Sequence, residues 1–245
     1  MFKRPPSTLA TYGERGLNSE LKEYVVALRR CDPSELLSTP RMTRIAVIDF
    51  ETTGLSPTMG DRATEIAIVL LEGGEVVGRF QSLMNAGVRI SSFIESFTGI
   101  SNAMVQAAPP AAEVMAAASR FVGDTPMVAH NASFDRRYWQ AELARLDLPA
   151  PQPFACTVLL SRRVHPEARS HSLGALAALH QLPSAGRAHR ALADAEVAAA
   201  LLKRIQTDLC QRFELPEARH PLLMKIQSSP KHAMAGVVKK YLATT

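Results

Sequence analysis

The stretch RIAVIDF, residues 44–50, decides the expected fold. It is a short run rich in β-branched residues, which is typical of a buried strand. Two more runs of this kind follow, EIAIVLL at 65–71 and VVGRFQSL at 76–83, and the turn EGGE at 72–75 joins them as a hairpin would. The sequence therefore predicts a meander of three strands at the start of this region.

Beyond the meander, short strand patterns alternate with helical ones. Strands are expected at 127–129 and 154–157, and helices at 110–122, 132–146, 172–182 and 191–205. A meander that leads into alternating strands and helices indicates an α/β domain with a mixed sheet.

The two flanks differ from this middle region. Residues 1–42 are expected to form an N-terminal helical extension, because apolar residues recur at helical spacing over 19–30. Residues 208–245 contain three prolines and a basic end, a pattern that leaves open a partly ordered tail or a packed extra helix. We therefore expect three regions: the extension at 1–42, a central domain at 43–207 and a basic C-terminal tail at 208–245.

The basic charge of the chain lies outside its middle region. The formal net charge is +5, with seven Lys and Arg against five Asp and Glu in residues 1–42, and six against three in residues 208–245. Residues 43–207 hold fifteen of each sign. A basic balance most often indicates a nucleic-acid partner, but an excess confined to the flanks does not by itself identify a binding face.

Cysteine content and hydropathy argue against several classes of protein. The three cysteines, Cys31, Cys156 and Cys210, are far apart and odd in number, which excludes a disulfide scaffold and a CxxC zinc site and favours a reducing, cytoplasmic setting. No apolar run of about 18 residues and no apolar leader occurs, so neither a membrane span nor a secretory signal is expected. The absence of a glycine-rich phosphate loop argues against a nucleotide-driven motor or a dehydrogenase.

Asp49 and Glu51 lie at the end of the first expected strand. Strand side chains alternate, so these two carboxylates point to the same face. Paired carboxylates repel each other unless a cation lies between them, so a divalent-metal site is one interpretation and a solvent-facing strand end is the other. The following Thr52-Thr53-Gly54 adds hydroxyl groups and a flexible residue that suit the close approach of a ligand.

Two further segments carry acids at the starts of expected helices. Asp135 falls in the first helical turn, where the helix dipole favours an acid, so a metal role and ordinary helix-start chemistry both stay open. Asp194 lies on the alanine-rich helix at 191–205, and His189 lies just before that helix. A lone histidine is more often structural, but one beside metal-binding carboxylates suits proton transfer because its pKa lies near neutral pH.

The other candidate residues carry weaker signals. His165, His171 and His180 have no acidic partner at ligand spacing, so we expect them to be surface or structural residues. Arg162-Arg163 has no interleaved aromatic residue, which favours a solvated helix end over a phosphate contact.

Taken together and in order, the three acidic segments resemble a known family. The strings VIDFETTGL at 47–55, VAHNASFD at 128–135 and AHRALADA at 188–195 are similar to the three motifs of the DEDD exonucleases. The similarity is to the histidine subtype, which includes the proofreading epsilon subunit of bacterial DNA polymerase III and ribonuclease T. The resemblance covers about residues 43–207. It implies an α/β, ribonuclease H-like fold: a mixed five-stranded sheet flanked by helices, here with the N-terminal helical extension.

The resemblance implies a role for each motif acid. Asp49, Glu51, Asp135 and Asp194 would hold two Mg²⁺ or Mn²⁺ ions, and His189 would be the general base that deprotonates the attacking water. Oxygen ligands suit these hard ions rather than zinc. Two such ions orient the nucleophile and stabilise the leaving 3′ oxygen of a phosphodiester.

The resemblance also implies contacts to the substrate. These are a turn that binds the 3′-terminal nucleotide, an apolar wedge beside the terminal bases, a residue that borders the terminal base, and two residues that line the groove. The turn would consist of Thr52, Thr53 and Gly54, and the wedge would be Leu55. Phe97 would border the terminal base, and Asn131 and Phe134 would line the groove. All of them lie in the quoted motifs or in the segment FTGI at 97–100.

The function expected from the resemblance is hydrolysis of DNA from its 3′ end with release of nucleoside 5′-monophosphates, single strands being preferred. An exoribonuclease that trims RNA 3′ ends is the alternative, and a non-catalytic nucleic-acid or partner-binding module is a third. The clamp-binding pentapeptide of the replicative epsilon subunit does not occur, and the N-terminal extension is additional, so a stand-alone exonuclease is favoured over replicative proofreading. No membrane partner is expected, while a protein partner and a homodimer are left open.

Overall fold

The β-branched run at 44–50 lies in the middle strand of a five-stranded mixed sheet. The computed structural model describes residues 44–183 and 189–244, so the helix expected at 19–30 lies outside the described residues. The strands are β1 (Arg44–Thr52), β2 (Ala63–Glu72), β3 (Glu75–Leu83), β4 (Met127–Ala129) and β5 (Phe154–Cys156). Their order is β3-β2-β1-β4-β5; the meander is antiparallel, whereas β1, β4 and β5 are parallel. The predicted mixed sheet is confirmed.

Helices flank this sheet. They are α1 (Ser92–Thr98), α2 (Asn102–Ala107), α3 (Ala111–Val122), α4 (Ser133–Ala144), α5 (Thr157–Val164), α6 (Leu173–His180), α7 (Ala191–Phe213), α8 (His220–Gln227) and α9 (Met234–Leu242). Short 3-10 turns lie at Pro57–Met59 and Lys231–Ala233. Within residues 44–183 and 189–244, no helix combines the length and the apolar character needed to cross a bilayer.

The helices expected from the sequence are present as α3, α4, α6 and α7, but three short ones were not expected. The helices α1 and α2 have seven and six residues, too few to display a clear helical period, and α5 begins at Thr157, which the sequence placed at the end of the last strand. Local caps define the first two, because the side chains of Ser91 and Ser101 accept hydrogen bonds from backbone N–H groups in the first turn.

Side chains of the strands alternate between two hydrophobic cores. Val47 and Val69 face the core that contains α7 and α8, whereas Ile48 and Ile66 face the core that contains Trp139 of α4. Because β1 is buried on both faces, its sequence is a continuous apolar run rather than an alternating one.

The C-terminal segment packs onto the first of these cores. Leu222 and Leu223 of α8 are fully buried, and Nε2 of His220 lies 2.9 Å from the carbonyl oxygen of Met127. Pro221 falls in the first turn of α8, where a proline is compatible with a helix, so it does not interrupt the segment. Of the two interpretations left open for 208–245, the described residues show the packed helix, and α7 continues past the expected boundary at 207 to Phe213.

Candidate active site

An acidic cluster forms where the carboxyl-terminal half of β1 meets the start of α7. Asp49 and Glu51 lie on β1, and Asp194 lies in the first turn of α7. One carboxylate oxygen of each residue lies within 4.8 Å of those of the other two. Among residues 44–183 and 189–244, this is the one group of three or more potential metal-ligating side chains that lie so close together. The alternation of β1 therefore points both of its acids towards the third, as the D-x-E pattern predicts.

Asp135 adjoins the cluster through the backbone of β1. It lies in the first turn of α4, which begins shortly after β4, and its side chain is almost fully buried at 1% exposure. Its Oδ1 accepts a hydrogen bond of 3.1 Å from the N–H of Phe50, the residue between Asp49 and Glu51. The structure thus brings all four predicted acids to one end of β1, with three of them in the closest group.

Burial and mutual repulsion raise the pKa values of these carboxylates. Burial, reinforced by the charges of Asp135 and Glu51, raises the pKa of Asp49 well above its usual value. Burial and the charge of Asp194 raise the pKa of Glu51 to about 8. Burial also raises the pKa of Asp135 to about 7 and that of Asp194 above its usual value, although hydrogen bonds from backbone N–H groups oppose both shifts. Carboxylates that resist joint ionisation in this way are stabilised by a divalent cation.

His189 lies at the exposed start of α7, beside the cluster. Its backbone N–H donates a hydrogen bond of 3.1 Å to Oδ2 of Asp194. Its backbone is left-handed, with φ at 61°, which is uncommon for a residue that carries a Cβ. The centroid of its ring lies 4.0 Å from that of Phe97. The histidine is therefore held next to one acid by its backbone and against an exposed aromatic ring by its side chain.

An ion pair between a half-buried arginine and a buried glutamate fixes the start of α7, and its pairing was not predicted from the sequence. Arg190 donates from Nε and Nη2 to the two oxygens of Glu65, at 3.1 and 2.8 Å, and the N–H of Ala191 donates to the same carboxylate at 3.1 Å. Glu65 is fully buried and lies directly opposite Glu51 in the β1–β2 register. Burial tends to raise the pKa of Glu65, but the hydrogen bonds from Arg190, Gln81 and the Ala191 N–H outweigh it and lower the pKa.

The turn after β1 is built around Asp61. The hydroxyl of Thr53 donates to Oδ1 of Asp61 at 3.3 Å. A Cβ on Gly54 would lie 2.4 Å from both oxygens of this carboxylate, so a larger residue there would displace Asp61. The hydroxyls of Thr52 and Tyr138 donate to the carbonyl oxygen of Gly54 at 2.6 and 2.9 Å. Three of the predicted substrate-binding residues therefore belong to one tightly bonded turn beside the acids.

Comparisons with known proteins decide the family. The family model described as an exonuclease, RNase_T, matches residues 46–202. The chain belongs to the DEDD exonuclease family. The PolC-type DNA polymerase III of Latilactobacillus sakei is 35% identical over 170 residues, which cover 69% of this chain and 12% of the relative. The 3′–5′ exonuclease DinG of Bacillus subtilis is 36% identical over 190 residues, which cover 77% of this chain and 20% of the relative.

A solved exonuclease shares the fold of this DEDD exonuclease, and nearly the whole length of the solved chain is matched. It is Exonuclease X in complex with 5′ overhanging duplex DNA, with 30% identity and a TM-score of 0.58. The match covers 75% of this chain and 99% of that chain. The chain thus spans a fifth or less of the two curated relatives but almost all of the solved exonuclease.

The remaining predicted substrate-binding residues of the DEDD exonuclease differ in exposure. Leu55 is 78% exposed and Phe97 is 48% exposed, so both apolar side chains are open to a ligand. Asn131 is exposed two residues before α4 and has a left-handed backbone, with φ at 66°. Phe134 is half-buried and packs on Tyr138, with ring centroids 5.0 Å apart. Phe134 therefore packs on the fold, and its role in the groove stays a prediction.

Phe93 extends the exposed aromatic surface and was not singled out from the sequence. It is 72% exposed, and its ring is nearly parallel to that of Phe97, with centroids 6.1 Å apart and an interplanar angle of 8°. Both residues lie on α1, four positions apart. Aromatic residues at this spacing share one helix face, which is the signal that could have identified the pair.

Proposed function

We propose that this chain is a metal-dependent 3′–5′ exonuclease that hydrolyses phosphodiester bonds from the 3′ end of DNA, preferably single-stranded, and releases nucleoside 5′-monophosphates. The observation that carries the proposal is the group of three carboxylates within 4.8 Å of one another, with Asp135 bonded to the same strand. Membership of the exonuclease family supports the reaction class, and a relative named as a 3′–5′ exonuclease supports the polarity. The DNA bound in the Exonuclease X complex supports DNA as the substrate.

Asp49, Glu51, Asp135 and Asp194 are the residues that would hold two Mg²⁺ or Mn²⁺ ions. The donor set fits such ions, because it consists of carboxylate oxygens that are largely withdrawn from water and whose mutual repulsion raises their pKa values. When bound, the ions would supply an activated water and charge stabilisation at the leaving 3′ oxygen.

His189 is the proposed general base. Its side chain is exposed beside Asp194, so a ring nitrogen can accept a proton from a water at the cluster. Contact with Phe97 restricts the orientations of the ring. The next residue, Arg190, is fixed by Glu65, and this ion pair holds the segment that carries the base.

The terminal nucleotide is proposed to lie along the turn after β1 and against α1. Hydrogen bonds hold Thr52, Thr53 and Gly54 in place, so the turn offers a preformed surface to the sugar and phosphate. Leu55 and Phe97 present exposed apolar side chains to the bases. Stacking of a base on an aromatic side chain contributes about 1–3 kcal/mol and tolerates any base.

The direct test is hydrolysis of a 3′-labelled single strand of DNA with Mg²⁺ or Mn²⁺. Asp49→Asn keeps the shape of the side chain but removes a ligand charge, so we expect it to lose nearly all activity. Asp124→Asn is the matched control, because it changes an exposed acid before the amino end of β4 and should leave the rate unchanged. Equal rates for Asp49→Asn and the unmodified protein would overturn the proposal.

Substrate preference is tested with DNA and RNA of one sequence, each as a single strand and as a duplex with a 5′ overhang. We expect the highest rate on single-stranded DNA. A higher rate on RNA would instead identify an exoribonuclease, and a requirement for a duplex would contradict the preference for single strands. Calorimetric titration with Mg²⁺ or Mn²⁺ addresses the non-catalytic alternative, since a pure binding module need not take up two ions.

A further inference from the structure

Two histidines and an aspartate meet where α5, α6 and α7 come together, apart from the acidic cluster. His165 follows the last residue of α5, His180 is the last residue of α6, and Asp208 lies in the second half of α7. The two imidazole rings lie 4.2 Å apart, centroid to centroid, and all three side chains line a cavity of about 470 Å³. Asp208 and Asp194 are separated along α7 by about 21 Å at the helical rise of 1.5 Å per residue.

Asp208 determines which nitrogen of His165 carries the proton. Its Oδ2 lies 2.6 Å from Nε2 of His165, and Nε of Arg204 donates to both of its oxygens at 2.9 Å. Burial tends to raise the pKa of Asp208, but the hydrogen bonds from Arg204 and His165 outweigh it and lower the pKa. The carboxylate is therefore ionised and accepts a hydrogen from Nε2. In neutral His165, Nδ1 is then the nitrogen with a free lone pair.

Two ring nitrogens of this histidine pair are buried without a hydrogen-bond partner: Nδ1 of His165 and Nε2 of His180. His165 as a whole is only 3% exposed. A buried polar atom without a partner costs free energy, so two of them on adjacent rings indicate a ligand that both can bind. A histidine whose other nitrogen donates to a carboxylate is also the arrangement that orients imidazoles on metal ions.

We propose that His165 and His180 bind a transition-metal ion of the Zn²⁺ class, with Asp208 as the residue that orients His165. Imidazole nitrogen suits Zn²⁺, Ni²⁺ and Cu²⁺, whereas Mg²⁺ prefers oxygen, so this site and the acidic cluster select different ions. Among the described residues, only the acidic cluster has three ligand atoms within 4.8 Å of one another, so the third ligand here joins on binding. Glu167 fits that role, because it lines the same cavity and its exposed side chain is free to rotate inward.

The proposal goes beyond the surface or structural roles expected from the sequence for His165, His171 and His180. That expectation rested on the absence of an acidic partner at ligand spacing. The partner of His165 is Asp208, which is 43 positions away in the chain and is brought near by the packing of α5 against α7.

The test is calorimetric titration of the full chain, prepared without a histidine tag, with Zn²⁺ in the presence of excess Mg²⁺ that saturates the acidic cluster. We expect one Zn²⁺ per chain. Loss of a ligand in His180→Gln should weaken binding by at least about tenfold, and Asp208→Asn by about 10–100-fold, the usual effect of removing a carboxylate that orients a metal-binding histidine. His232→Gln is the matched control, because His232 is exposed in the turn Lys231–Ala233, and it should bind like the unmodified protein.

Co²⁺ provides a second readout, because its visible absorption bands intensify and shift when nitrogen ligands hold the ion at low coordination number. We expect this change in the unmodified protein and in His232→Gln, and its loss in His180→Gln. Circular dichroism establishes whether each variant is folded. If His180→Gln does not fold, the Zn²⁺ affinity of Asp208→Asn decides the outcome. Zn²⁺ binding that is unchanged in the folded variants would overturn the proposal. Absence of Zn²⁺ binding to the unmodified protein would also overturn it, since the cavity would then hold water only.

Discussion

Glu51 and Glu65 lie directly opposite each other in the β1–β2 register, yet their pKa values shift in opposite directions. The pKa of Glu51 rises to about 8, whereas that of Glu65 falls below its ordinary value. Both side chains are buried, so burial does not distinguish them. Their partners do: Glu65 accepts two hydrogen bonds from Arg190, while the strongest charges around Glu51 are those of Asp194 and Glu65.

This difference separates a structural carboxylate from one that is available for chemistry. Glu65 is neutralised by a cation of the chain itself, so its charge holds α7 against the sheet. Glu51 lies among other acids, and burial and their repulsion outweigh the attraction of Arg190, so a cation from outside is needed to stabilise its charge fully. Glu65 on β2 thus stabilises the fold, whereas its cross-strand neighbour Glu51 on β1, in our proposal, binds the metal ions.

The largest expected effect is on catalysis, in Glu51→Gln. The amide lacks the ligand charge, so we expect the rate to fall by about 10³-fold or more, the scale on which single catalytic groups act. The free energy of unfolding of the metal-free protein should stay the same or rise, because the repulsion from Asp194 is relieved. Rates at saturating Mg²⁺ and urea denaturation measure the two effects. A variant that lost stability together with activity would show that Glu51 also holds the fold.

Glu65→Gln should have the opposite effect, because the property that mainly falls is stability rather than the catalytic rate. Arg190 would lose the partner of its charge at a site where Glu65 is 1% and Arg190 32% exposed. We expect the free energy of unfolding to fall by about 2–3 kcal/mol, somewhat less than for a fully buried pair because water reaches the guanidinium. The midpoint of urea denaturation at constant m-value measures this loss. Arg190→Met in the same background should recover part of it, and failure to do so would argue against an unpaired charge as the cause.

The pH dependence of stability should also distinguish the two carboxylates. The folded pKa of Glu51 lies above its unfolded value, so the metal-free folded state binds more protons and loses stability as pH rises towards about 8. Glu65, with a lowered pKa, contributes stability that is fully present above its ordinary pKa and is lost only in the acid range. Burial lowers the pKa of His130 to about 4, so above its ordinary pKa this histidine is neutral in both states.

We therefore expect the free energy of unfolding to decrease by an amount on the order of 1 kcal/mol between about pH 6.5 and pH 8.5 without metal. Thermal denaturation with chelator across this range measures the slope. Glu51→Gln should reduce the slope but not abolish it, because Asp135, with its pKa raised to about 7, also titrates in this range. Mg²⁺ should flatten the slope, and a slope that persists with Mg²⁺ would place its origin outside the acidic cluster.

The parts of this site that were predictable from the sequence depend on local periodicity. Asp49 and Glu51 share a face because strand side chains alternate, and this holds whatever the rest of the chain does. The partner of Glu65 was not predictable, because Arg190 lies 125 positions away and is brought to it by packing. A charged residue next to the apolar run of β2 indicated only that some partner was needed. The packed helix α8 was not predictable either, because Pro221 favoured a tail as much as a helix. A proline that starts a helix and one that ends it look alike in sequence.

The smallest expected effect on stability is at the ion pair of Arg79 and Glu196, which is more exposed than that of Arg190 and Glu65. Arg79 on β3 donates to Glu196 on α7 at 2.7 Å, with side-chain exposures of 52% and 27%, so this pair joins the same helix to the same sheet in contact with water. We expect Glu196→Gln to cost about 0.2–1 kcal/mol, and less as salt is added. Urea denaturation at low and high salt, with Glu65→Gln in parallel, measures both. Equal costs in the two variants would break the comparison, because burial beside a fixed cation would then no longer explain why Glu65 stabilises the fold.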